Sequence, residues 1–214
     1  MRWFWLVPGL LSYVLALADE AAEARRRWES SPHGPLLERI LPPTFQPSQL
    51  PEPRSHGAEL TLRYCVQCHN VPNPAMHHAQ KWPGIVERMV LRMEGRGNMG
   101  ELMSEMMAGV KAPGAQEAAA IVAYLRKHAQ TPLDPTRYPE VQRASGEAFR
   151  LACNQCHVLP DPKRHTAEGW RAVVARMQEN MQWMNRVVGS KPVPGEPQLR
   201  VDEILGFLQK NARK

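Results

Sequence analysis

The chain has 214 residues, a length that allows one or two domains. Lys and Arg number 27 against 21 Asp and Glu, which gives a formal charge of +6. The longest basic run, Arg25-Arg26-Arg27, has acidic neighbours, whereas nucleic-acid binding calls for basic side chains gathered on one face. The composition therefore argues against a nucleic-acid-binding protein.

Residues 1–18 are predicted to be a secretory signal peptide. Arg2 is the only positive charge, residues 3–18 are apolar, and Ala16-Leu17-Ala18 offers a small-x-small cleavage site. The apolar stretch of 16 residues is shorter than the roughly 20 residues of a membrane-spanning helix. We expect an exported protein, and an uncleaved N-terminal membrane anchor is the alternative.

Residues 19–54 form a proline-rich extension. Alanines within 19–31 favour a short polar helix, and the prolines that follow favour extended chain. Apolar residues between the prolines allow contact with a domain surface, but we interpret the segment as a tether.

One pentapeptide pattern occurs twice, as Cys65-Val66-Gln67-Cys68-His69 and as Cys153-Asn154-Gln155-Cys156-His157. Cys-x-x-Cys-His is the attachment signature of c-type haem. Its two thiols can form thioether bonds to the two vinyl groups of one porphyrin, and the adjacent His binds the iron. The pattern predicts two covalently bound haem c groups. The predicted attachment residues are Cys65, Cys68, Cys153 and Cys156, and the predicted proximal iron ligands are His69 and His157.

Two other interpretations of paired cysteines were weighed. A redox disulfide gives no reason for a histidine to follow both pairs. A single zinc ion held by two Cys-x-x-Cys pairs usually has about 15–20 residues between the pairs. Here 84 residues separate Cys68 from Cys153, so haem is the preferred interpretation.

The chain also repeats around these motifs. An offset of 88 residues maps the first motif onto the second and gives thirteen identities over the 29 positions 65–93. Towards the ends of the two copies the offset becomes 83. We predict two modules, 55–132 and 133–214, each with its own haem.

The elements of each module follow one order. A helix leads into the motif, at 58–68 in the first copy, and a proline-bearing loop follows the histidine. The next helix has an apolar face marked by residues at i, i+4, i+7 and i+11. An amphipathic helix closes each module, at 115–129 and at 198–212. The apolar face consists of Trp82, Val86, Met89 and Met93, repeated by Trp170, Val174, Met177 and Met181 and extended by Met184.

Residues 57–214 resemble a tandem diheme member of the class I cytochromes c, exported electron carriers of bacteria. The resemblance is carried by the doubled motif, the helix before each copy, and the pairs Tyr124-Leu125 and Phe207-Leu208 in the closing helices. It implies an all-α fold of two tandem cytochrome c domains, each wrapped on one covalent haem, with the motif helix crossing the closing helix. It also implies a periplasmic location.

The resemblance further implies a methionine as sixth iron ligand, and Met/His ligation raises the reduction potential. The candidate pairs, in order of preference, are Met89 and Met177, Met93 and Met181, and Met103 and Met184. The first pair completes the Trp-x3-Val-x2-Met pattern of small cytochrome domains that the module also resembles. His77 and His165, eight residues beyond each proximal histidine, are rival ligands; otherwise they bond a propionate or a backbone carbonyl.

The expected function is single-electron transfer between periplasmic or membrane redox partners. The alternative is a haem-containing oxidoreductase, or its electron-transfer subunit, that acts on a small donor. Such an enzyme requires an open or labile sixth position, which the many methionines disfavour.

Overall fold

The computed structural model describes residues 47–97, 100–187 and 199–214, with positions 22, 23, 26, 27, 29–32, 34 and 35. In these ranges the regular structure is helical, without strands, which confirms an all-α fold. No described helix combines the length and the apolar character needed to cross a membrane. The predicted signal peptide lies outside the described residues. Seven α-helices occur there: α1 His56–Cys65, α2 Trp82–Met93, α3 Glu101–Met107, α4 Ala115–Lys127, α5 Ala144–Cys153, α6 Ala167–Val187 and α7 Val201–Lys210.

The chain forms two compact units that are discontinuous in sequence. One unit comprises Met1–Pro72 and Ile85–Ala123. The other comprises Asn73–Gly84 and Tyr124–Lys214. We call them the first unit and the second unit.

The sequence repeat is also a repeat of local structure. The helices α1 and α5 lie 88 residues apart, and so do the 3₁₀ turns Pro74–Met76 and Pro162–Arg164. Further along, isolated parallel bridges join His78 to Gln130 and Thr166 to Arg213. The closing helices α4 and α7 were predicted at 115–129 and 198–212, and both are shorter than that where the structure describes them.

The two copies differ after the apolar-face helix. Gly95 and Gly97 have φ angles of 70° and 98°, a left-handed conformation that glycine adopts without steric cost. The amide of Arg96 donates to Leu91 O at 2.8 Å, a Schellman-type closure that ends α2. The second copy has Trp183 and Asn185 at the matching positions, so α6 continues to Val187.

The core of the second unit lies between α5, α6 and α7. The rings of Phe149 and Phe207 stack with centroids 4.8 Å apart, and Trp170 and Leu208 are almost fully buried beside them. Gly146 of α5 packs against the turn Pro139–Gln142. A Cβ on Gly146 would lie 2.5 Å from the Cα of Val141, so only glycine allows this close approach.

In the first unit a polar cluster joins α1 to the start of α4. The hydroxyl of Tyr64 donates to Glu117 Oε2 at 2.7 Å, and the amide of Gly114 donates to the same oxygen at 3.0 Å. The guanidinium of Arg63 lies 3.6 Å from Glu117 Oε1. The residue before the first motif cysteine is therefore fixed to the closing helix.

The proline-rich extension packs on the first unit where the structure describes it. Leu50 is 2% exposed, and Pro47–Gln49 forms one 3₁₀ turn. Earlier in the chain, the guanidinium of Arg27 donates to Gly109 O at 3.0 Å. The interpretation as a plain tether is therefore wrong at these positions, because an apolar side chain and an ordered polar contact hold the segment.

Candidate functional site

Each Cys-x-x-Cys-His motif straddles the end of a helix. Cys65 and Cys153 are the last residues of α1 and α5. The next residues, Val66 and Asn154, have nearly the same backbone angles, φ near −80° and ψ −2°. The rest of each motif forms a turn, so the predicted helix 58–68 ends three residues earlier than expected. The pentapeptide thus adopts one local geometry twice.

The two motif histidines make the same hydrogen bond. His69 Nδ1 lies 2.7 Å from Asn70 O, and His157 Nδ1 lies 2.8 Å from Val158 O. A carbonyl only accepts, so Nδ1 carries the proton in both rings and Nε2 has the lone pair. Metal-binding histidines commonly use their second ring nitrogen in this way. Both rings therefore meet the requirement for an iron ligand.

All four cysteines are free thiols. Burial raises the pKa of Cys65 and of Cys153 to about 12. The same cause raises the pKa of Cys68 to about 11, and the nearby charge of Arg27 opposes it. These three thiols are protonated at neutral pH. The contribution of Arg27 brings the N-terminal extension close to the first motif.

The proline loop after each motif is built in the same way. The indole Nε1 of Trp82 donates to Pro74 O at 2.9 Å, and that of Trp170 donates to Pro162 O at 2.8 Å. Side chains at the same position of each loop, Asn73 and Asp161, accept from the amide two residues on. The repeated tryptophan therefore fixes the loop to the next helix.

His77 and His165, the rival ligands, lie edge-on to these tryptophans. Ring centroids are 5.2 Å apart for His77 and Trp82, and 4.8 Å apart for His165 and Trp170. Burial, with a smaller contribution from Lys81, lowers the pKa of His77 to about 4, and burial also lowers the pKa of His165. His77 is therefore neutral at physiological pH, with the packing of a loop residue.

The backbone carbonyls of these two histidines each accept a hydrogen bond from a residue beyond the closing helix. Gln130 N donates to His77 O at 2.9 Å, and Arg213 N donates to His165 O at 3.0 Å. The expectation that these histidines bond a backbone carbonyl concerned their side chains. The bonds in the structure are made by their own carbonyls.

The methionine candidates lie on the helices where they were predicted. Met89 and Met93 on α2, and Met177 and Met181 on α6, are half-buried. Met177 Sδ lies 4.0 Å from the Asn180 amide nitrogen. The sulfur of Met184, from the third-ranked pair, lies 3.8 Å from Cys156 Sγ, and the residue is 41% exposed. The structure thus brings Met184 to the second motif, and its partner Met103 lies half-buried on α3.

The second unit also holds three buried donors that have no acceptor among the described residues. They are Arg150 Nε, Arg176 Nε and Trp183 Nε1. Arg150 lies three residues before Cys153, and Trp183 adjoins Met184. Leaving such donors unpaired costs about 1–3 kcal/mol each. A group with an apolar body and carboxylates would satisfy them, and a haem with its two propionates fits that description.

Exposed apolar side chains adjoin the second motif as well. Leu151 is 52% exposed, two residues before Cys153, and Met184 lies against Cys156. Among described residues, no three or more His, Cys, Asp or Glu side chains are grouped as a metal site. Haem iron takes only one or two ligands from the protein, so the residues present fit haem.

Two glutamines with site contacts were not identified from the sequence. Gln67, inside the first motif, is 4% exposed; its amide donates to Lys111 O and accepts from Lys111 N, both at 2.9 Å. Its identity with Gln155 in the repeat was the available signal, but Gln155 is exposed and bonds Leu151 O of its own helix. Gln130 contacts the second motif and carries no sequence signal.

Comparison with protein-family models, with curated proteins and with solved structures found no match.

Proposed function

We propose that the chain is an exported diheme c-type cytochrome that passes single electrons between redox partner proteins. The observation that carries the proposal is the duplicated histidine geometry. Each motif leaves its helix at the same backbone angles, and each histidine bonds the next carbonyl through Nδ1, at 2.7 and 2.8 Å. Neither a redox disulfide nor a zinc site gives a reason for that repetition.

The chain's residues have distinct roles in this proposal. Cys65 and Cys68 would hold one haem through thioethers, and Cys153 and Cys156 the other. The carbonyl beyond each proximal histidine fixes the tautomer of the ring and increases its basicity. When bound, each haem supplies a one-electron Fe(II)/Fe(III) couple whose potential depends on axial ligands, burial and hydrogen bonds.

The distal ligand of the second haem is proposed to come from α6. Met177 is the first candidate, because it completes the repeated apolar face. Met184 is its structural rival, because its sulfur lies 3.8 Å from Cys156 Sγ. In the first module Met89 keeps the first rank. The helices of 55–132 and 133–214 then form two cytochrome c modules in the periplasm.

Haem content tests the proposal directly. Protein produced in a host with intact cytochrome c maturation should retain its haem stain after denaturation, and its mass should exceed that of the polypeptide by two haems. The double variant Cys153→Ala/Cys156→Ala should retain one haem, and Cys65→Ala/Cys68→Ala should retain the other. Zinc without haem in the wild-type protein would overturn the proposal.

A further inference from the structure

Gln130, a residue of the first sequence repeat, lies beside the proximal histidine of the second. It is 5% exposed and belongs to the second unit. Its Nε2 donates to Val158 O at 3.1 Å and lies 3.4 Å from His157 Nδ1. Its backbone amide donates to His77 O at 2.9 Å, which fixes the residue at this place.

Val158 O is the acceptor that His157 also uses. His157 Nδ1 lies 2.8 Å from it, and a carbonyl oxygen with two lone pairs accepts both donors. Since the two donors share one acceptor, the bond from Gln130 weakens the bond from His157. The imidazole then has less imidazolate character and donates less electron density through Nε2. The positive end of the Gln130 amide dipole also faces the ring, in a buried place where dipoles are poorly screened.

Both effects disfavour the more positive, oxidised iron. We propose that Gln130 is a positioning residue for His157 that raises the reduction potential of the second haem. The inference rests on the proposed function, because it requires that His157 binds haem iron.

The sequence repeat does not reproduce this side-chain arrangement. Arg213 corresponds to Gln130 at the offset of 83, and its amide makes the matching bond to His165 O. Its side chain is exposed at the end of the chain. Gln130 therefore adds a contact to the second haem site that the repeated pattern does not contain.

The test replaces Gln130 with methionine, which has similar size and no N–H donor. The two reduction potentials are measured by spectroelectrochemical titration of the diheme protein. The Cys153→Ala/Cys156→Ala variant, with one haem, identifies which potential belongs to the first. In Gln130→Met we expect the reduction equilibrium of the second haem to fall about three- to fivefold, a shift of about 30–40 mV at 59 mV per tenfold. The first potential should not change.

Gln209→Met is the matched control. Its Nε2 donates to Ala167 O at 3.1 Å in the same unit, without touching a motif, so both potentials should stay at their wild-type values. Gln130→Glu replaces the donor with a carboxylate and should lower the second potential further. A second potential that is unchanged or raised in Gln130→Met would overturn the inference. So would an equal shift of both haems, or loss of the second haem in both Gln130 variants. Wild-type protein without haem would instead refute the proposed function.

Discussion

Replacing Gly146 with alanine should destabilise the second unit, although alanine is the better helix former. Gly146 lies in α5, the helix that ends in the second motif. An added Cβ would lie 2.5 Å from Val141 Cα and 2.6 Å from Glu140 O. Both are backbone atoms, so no side-chain rotation relieves the contact. The turn Pro139–Gln142 would have to move away from α5.

The size of the effect follows from two opposing terms. Carbon atoms are attractive at about 3.5–4.0 Å, so the turn must move by roughly 1 Å. Overpacking of this kind costs about 1–3 kcal/mol. The helix propensity of alanine returns up to about 1 kcal/mol. We expect a net loss of about 1–2 kcal/mol, or about 4–16 °C in Tm for a unit the size of one module.

The matched control is Gly206→Ala in α7, where an added Cβ meets nothing within 4 Å. That variant should gain about 0.5–1 kcal/mol, because only the propensity term acts. Thermal melts followed by far-ultraviolet circular dichroism and by haem absorbance compare the two. If both variants shift Tm in the same direction, the close packing of α5 on the turn is refuted.

Three further predictions concern the haem sites and their supports. Met177→Ala should open the second haem, so that its potential falls and its reduced form binds carbon monoxide, with the first haem unchanged. Glu117→Gln should flatten the acid limb of the first unit's stability. The backbone amide of Gly114 is the main cause that lowers the pKa of Glu117 from 4.5, so its stabilisation is present above pH 4.5 and is lost as the pH falls through the folded pKa. Gln67→Leu should destabilise the first unit by about 2 kcal/mol, because two buried hydrogen bonds disappear, whereas Gln155→Leu should cost under about 1 kcal/mol.

Each of these predictions has a contrary outcome. If Met177→Ala is silent while Met184→Ala opens the haem, the distal ligand is Met184; Met106→Ala should leave both spectra unchanged. Wild-type protein that already binds carbon monoxide rapidly would favour the oxidoreductase alternative over the carrier. Urea titrations of Glu117→Gln between pH 3 and 7 that parallel the wild type would contradict the role of that carboxyl. Equal losses in Gln67→Leu and Gln155→Leu would contradict the Gln67 clamp.

Local patterns in the sequence anticipated the elements that present the motifs. The helices before both motifs, the proline loops and the apolar-face helices follow from signals within about twenty residues of each cysteine. The continuation of α6 to Met184 was also anticipated, because the methionine spacing extends there. The missed helix, α3, depends on the chain reversing at Gly95 and Gly97, whose backbone angles no spacing rule reveals.

Contacts between distant segments were beyond such patterns. The bond from Arg27 to Gly109 and that from Gln130 to Val158 join positions 82 and 28 residues apart. Neither glutamine nor arginine at those positions belongs to a periodic face or a motif. The rank of Met184 has the same origin, because its closeness to Cys156 depends on how α6 packs rather than on register.

The discontinuity of the second unit has a consequence for how the protein is made. Its first piece, Asn73–Gly84, leaves the ribosome before any of its other residues, and the last piece ends at Lys214. At about 5–20 residues per second, more than 100 further residues take about 6–26 s to synthesise. During that interval Trp82 has its own loop as a partner but not the rest of its unit. A protease that cuts between Pro72 and Ile85 would therefore damage the later unit, although the cut falls in the earlier repeat.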